Sequence, residues 1–118
     1  MIERVPTFRQ PNAIFSAPFF IEEVDLDRIQ LESDEYNESF LSGIKTTMGK
    51  DRFSDESYHY VSQLVFECIG QFLDKPFYIG QVWRNKYNKE DWQDPHIHSG
   101  AQWSFVIYET VEHSRTVF

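Results

Sequence analysis

Trp83-Arg84-Asn85-Lys86-Tyr87-Asn88-Lys89-Glu90-Asp91-Trp92-Gln93-Asp94-Pro95-His96-Ile97-His98 is the stretch on which the fold turns. Its first part continues a run from Phe77 to Tyr87 that reads as a strand, because successive strand side chains point to opposite faces. Phe77, Ile79, Gln81, Trp83, Asn85 and Tyr87 share one face; Tyr78, Val82, Arg84 and Lys86 share the other. Asn88-Lys89-Glu90-Asp91 is a polar turn, and Pro95 biases Asp94 towards an extended backbone. His96 and His98 stand two apart, a spacing that in extended chain aims both imidazoles the same way. Two neutral imidazoles converging on a point chelate a borderline divalent ion. The same pair also suits two loop residues bonded to backbone or water. Likewise, Trp83 suits a core position, and Asn85 and Tyr87 suit an ordinary sheet face.

Upstream, a helix is expected from Asp55 to Asp74. Ser54 can cap it, and Asp55 and Glu56 complement its N-terminal dipole. Tyr58, Val61, Val65, Cys68 and Phe72 recur at three- and four-residue steps, with Leu64 and Ile69 widening the stripe. His59, Gln63, Glu67 and Gln71 fall off it, and Pro76 stops the helix. Residues 1–54 are expected to hold an N-terminal arm and strands. Ala13-Ile14-Phe15 and Phe19-Phe20-Ile21 form a strand broken by Pro18, and residues 22–38 an acidic solvated loop with a helical turn. Residues 39–54 are ambiguous, punctuated by Gly43 and Gly49. Downstream, a strand is expected over Gln102 to Glu109, and another starts at Arg115-Thr116-Val117-Phe118.

The length of 118 residues is that of one domain. An aromatic share of 17% favours half-buried pleated surfaces, so the expected class is α+β, mostly β, with one packed amphipathic helix. The formal charge of -8 excludes phosphate-backbone and anionic-membrane partners that need Lys and Arg. No apolar run approaches the roughly 20 residues of a membrane span. Cys68 is the single cysteine, so no internal disulfide forms, and a reducing, cytoplasmic setting is expected. Its place on the apolar stripe makes it a core thiol. No nucleophile elbow, P-loop or dinucleotide fingerprint is present, and a zinc hydrolase lacks further ligands at close spacing after His98.

Trp83, Asn85 and Tyr87, then Asp91 and Gln93, then His96 and His98, then Ser104, Val106 and Tyr108 together resemble a family of iron(II)/2-oxoglutarate oxygenases of bacteria and phages, with its W-x-N-x-Y, H-x-H and S-x-V-x-Y pattern. The resemblance covers about residues 57–118. It implies a partial double-stranded β-helix (jelly-roll or cupin-like) over 77–118. It also implies Fe(II) and 2-oxoglutarate as cofactors, and hydroxylation of a small-molecule or protein substrate coupled to 2-oxoglutarate decarboxylation. His96 and His98 become metal ligands, and Trp83, Asn85 and Tyr87 the wall of the cofactor pocket. The family's distal histidine and its basic 2-oxoglutarate anchor do not occur before Phe118. His113, Glu109, Glu112 and His59 are the other donors to weigh, and Arg84 and Arg115 the other cations. The expectation is a partial chain of a longer oxygenase, a sheet completed by a second copy or another chain, or a relative without catalysis that keeps the fold for metal binding or assembly.

Overall fold

A computed structural model of the chain describes residues 17–38, 44–93 and 98–111. Its largest element is the helix α1, Asp55–Ile69. The Ser54 hydroxyl accepts from the Ser57 amide at the N-terminus, where Asp55 and Glu56 face the helix dipole. At the other end the helix tightens at Gly70 into a 3-10 turn, Gly70–Phe72, closed by the Leu73 amide on the Gly70 carbonyl. Regular helix therefore stops before the expected Asp74.

The buried face of α1 is centred on Ser57, Val61 and Ile69, with Leu64, Val65 and Cys68 half-buried. Two members of the expected stripe leave it for other partners. Tyr58 is exposed, and its hydroxyl accepts from the Ile79 amide at 3.2 Å. Phe72 lies past the helix and joins an aromatic group, with ring centroids 6.2 Å from Phe20 and 5.9 Å from Trp103. His59, Gln63, Glu67 and Gln71 are all exposed.

Ile29, Phe53 and Val61 form the core, with Leu31, Tyr60, Val65, Ile79, Val82 and Ile107 packed around them. The acidic stretch supplies this core as well as a solvated surface. Asp25 caps a 3-10 turn at Leu26–Arg28, after which Ile29 turns inward. Leu31 then bridges Phe53, flanked by bonds from the Glu32 amide to the Arg52 carbonyl and from the Ser54 amide to the Gln30 carbonyl, each 2.9 Å.

Regular strand is shorter than the sequence suggests. β1 (Asn37–Glu38), β2 (Lys45–Thr46) and β3 (Asn85–Lys86) make an antiparallel sheet in the order β1-β2-β3. Asn37 lies opposite Thr46 and Thr46 opposite Asn85; Glu38 lies opposite Lys45 and Lys45 opposite Lys86. Of the strand expected over 77–87, Asn85–Lys86 is the part that pairs among the described residues. Pairing stops at Arg84 because its amide donates to the Thr47 hydroxyl (2.8 Å) rather than to a carbonyl, while the Thr47 amide still reaches the Arg84 carbonyl (3.0 Å). The alternation also slips at Gly80-Gln81, since Ile79 and Val82 both pack on the core. Phe77 and Ile79 are therefore out of phase with Trp83, Asn85 and Tyr87.

No ladder forms over 102–109 among the described residues, although its alternation is real. Trp103 meets Phe20 and Phe72, Phe105 stacks on Phe53 at 6.5 Å, and Ile107 touches the core. Ser104, Val106 and Tyr108 are exposed. Phe19-Phe20-Ile21 is exposed and is not part of a strand; Ala13-Ile14-Phe15 and Arg115–Phe118 lie outside the described residues.

Thr47 is the buried polar joint of this arrangement. Its hydroxyl donates to Asp51 Oδ2 at 2.7 Å and accepts from the Arg84 amide. Asp51 Oδ1 in turn accepts from the Ser33 and Arg52 amides, each at 2.9 Å. Thr47→Val keeps the shape and strands the Arg84 N–H in the interior. A loss of about 2 kcal/mol of unfolding free energy is expected by urea denaturation. A loss under about 0.5 kcal/mol, the scale of an ordinary surface change, would count against the joint.

Candidate functional site

The site grows from the strand that contains β3. Trp83, Asn85 and Tyr87 follow at two-residue spacing on one face, and register adds Thr46 and Asn37 beside Asn85. The opposite face carries Glu38, Lys45 and Lys86, with Lys86 Nζ over the Tyr36 ring at 4.2 Å. Arg84 belongs to that opposite face by alternation. Its Nε donates to Glu109 Oε1 at 2.8 Å. Two residues weighed for the site, Arg84 as an anion partner and Glu109 as a carboxylate ligand, are thus bound to each other instead. The cause is the strand's own period, which aims Arg84 away from Asn85.

Trp83 and His98 come together. Their rings stack with centroids 5.8 Å apart and an interplanar angle of 25°. The chain leaves the strand at Tyr87, turns, and returns His98 to the residue four positions earlier. The turn is closed reciprocally: the Asn88 amide donates to Asp91 Oδ2 (2.7 Å) and the Asp91 amide to the Asn88 carbonyl (3.0 Å). Glu90 takes the left-handed backbone, φ 74°.

Tyr87 donates its hydroxyl to Gln93 Oε1 at 2.8 Å. Partial desolvation pushes its phenol up from the ordinary value; the Asn85 amide, bonding the phenolic oxygen, pulls it down, and Tyr108 pushes it up again. Asn85 Oδ1 is buried and meets no hydrogen-bond partner among the described residues. That orphaned acceptor is a cost of roughly 1–3 kcal/mol on the wall where a ligand is expected.

No family model, no curated protein and no solved structure matches this chain. The site therefore rests on its own geometry. His96, His113, Glu112 and Arg115 lie outside the described residues. Among the described residues, no three His, Cys, Asp or Glu side chains gather where they could hold a metal ion. His98 is the donor that the described part brings to the wall. His59 is exposed on α1. The Cys68 thiol is pushed up, by desolvation first and then by Glu22 and Glu67, which keeps it a neutral thiol rather than a ligand thiolate. No helix among the described residues is long and apolar enough to cross a membrane.

Sequence reasoning named Trp83, Asn85, Tyr87, His98 and Gln93, but not the bond from Tyr87 to Gln93 or the one from Arg84 to Thr47. Gln93 and Thr47 act through contacts six and 37 residues away. The family pattern includes Gln93 without giving it a partner, and no local signal marks Thr47.

Proposed function

We propose that this chain is an iron(II)/2-oxoglutarate-dependent oxygenase-like domain, acting in the cytoplasm on a small-molecule or protein substrate. The observation that carries the reading is the stack of Trp83 on His98, which sets the second histidine of the H-x-H motif against the strand that carries Asn85 and Tyr87. The donor set suits the metal in kind. His98, joined by His96, would supply imidazole nitrogens to a borderline divalent ion. A third ligand, and a cation for the far carboxylate of 2-oxoglutarate, would come from residues outside those described or from a chain that completes the sheet. In the full assembly, β1 to β3 would form part of a double-stranded β-helix.

Iron with 2-oxoglutarate supplies the oxidising chemistry when bound. The chain's own residues bind and orient. Trp83 covers one side of the His98 ring. The Asn85 amide and Tyr87 hydroxyl form the polar part of the wall, and the orphaned Asn85 Oδ1 is an acceptor for a donor group that enters there.

Anaerobic titration of the purified protein with Fe(II) and 2-oxoglutarate tests the reading. A broad visible charge-transfer band is expected only when both are present. Absence of the band would leave the alternative, a noncatalytic metal-binding or assembly module. The exposed aromatic rings of Phe20, Phe66, Phe72 and Tyr78 favour that alternative as an interface.

A further inference from the structure

Trp83 and Tyr87 are four residues apart on one strand face, and each grips one end of the same short stretch. Trp83 stacks on His98 at the far end, while Tyr87 bonds Gln93 at the near end. The Asn88–Asp91 bonds close the turn that precedes Gln93, and the Tyr87–Gln93 bond ties the residue two past that turn back to the strand. A backbone leaving a turn through left-handed Glu90 has several exit directions, and a side-chain bond three residues on, at Gln93, selects one. We propose that Gln93 is a positioning residue. By accepting from Tyr87 it fixes the direction in which the chain leaves the turn, and so sets where His98 meets Trp83. Its effect on cofactor binding rests on the oxygenase-like reading; its effect on His98 does not.

Gln93→Ala, Gln93→Glu, Tyr87→Phe and the double variant Tyr87→Phe/Gln93→Ala test this by NMR on metal-free protein labelled at tyrosine and histidine rings. Gln93 accepts from the neutral phenol, which favours the protonated form. In Gln93→Ala the Tyr87 pKa is therefore expected to fall, and the His98 ring resonance, displaced by the Trp83 ring current, to move towards a free-histidine value. Gln93→Glu keeps an acceptor and is expected to restore the His98 resonance. The double variant is expected to match Tyr87→Phe alone.

In the iron titration, the 2-oxoglutarate concentration for half-saturation is expected to rise about tenfold in Gln93→Ala, as for outer-shell partners of metal sites, and to return towards wild type in Gln93→Glu. Unchanged Tyr87 and His98 resonances in Gln93→Ala would overturn the proposal. So would a displaced Tyr87 pKa with an unmoved His98, because the bond would then position nothing. If wild type shows no charge-transfer band, the oxygenase reading fails alone, and the His98 resonance still decides the role of Gln93.

Discussion

His98→Ala is expected to lower Fe(II) affinity by more than about 100-fold. Substitutions of outer-shell partners in metal sites cost about 10–100-fold, and loss of a ligand exceeds them. The physical reason is chelation. Two imidazoles two residues apart bind one ion with a single ordering cost, and either one alone is a weak surface ligand. Folding should hardly change, because His98 is exposed and makes no contribution to the Ile29–Phe53–Val61 core. Surface substitutions of this kind move stability by about 0.5 kcal/mol or less. Equilibrium dialysis against Fe(II), with metal content read by atomic absorption, measures the effect beside an unfolding curve for the same variant. Metal content unchanged in both His98→Ala and His96→Ala would remove the metal site altogether.

Where the chain's structure depends on near neighbours, the residues announce it. Ser54 followed by Asp55 and Glu56 marks the start of α1 because capping and dipole terms act within one turn. The end of α1 was less legible. Phe72 continues the apolar spacing, yet Phe20 and Trp103 hold it from distant parts of the chain. Alternation over 77–87 and 102–109 describes an extended backbone, but it names no partner. The partner of β3 is Lys45–Thr46, which lies in a stretch whose own pattern is ambiguous.

The site divides the same way. H-x-H and the Trp83, Asn85 and Tyr87 face follow from a period of two. The return of His98 onto Trp83 depends on the geometry of the turn. Arg84 is set apart by its parity, which places it with Lys86, away from Asn85.

Ser57→Ala is expected to destabilise the chain by about 3 kcal/mol, a large share of the roughly 5–15 kcal/mol typical of a domain. Ser57 is fully buried on the apolar face of α1, where alanine is by propensity the better helix former by about 0.5 kcal/mol. Serine stands there because its hydroxyl serves the neighbouring chain. It accepts from the Gln30 amide at 2.7 Å, donates to the Arg28 carbonyl at 2.7 Å and receives the Ser54 hydroxyl at 2.9 Å. Removing it leaves an amide and a carbonyl unpaired beside the core, each costing about 1–3 kcal/mol, against which the propensity gain is small. The midpoint of urea unfolding should fall with its slope unchanged. A drop under about 1 kcal/mol would mean that water reaches Arg28 and Gln30, and that the segment holding Ile29 in the core is looser than described. Tyr58, the next residue, receives the Ile79 amide at the head of the run into β3. On the oxygenase-like reading, a chain weakened at Ser57 is expected to bind iron normally while folded, and His98→Ala to fold normally with its iron affinity lost. That opposite pairing is what separates the scaffold from the site it carries.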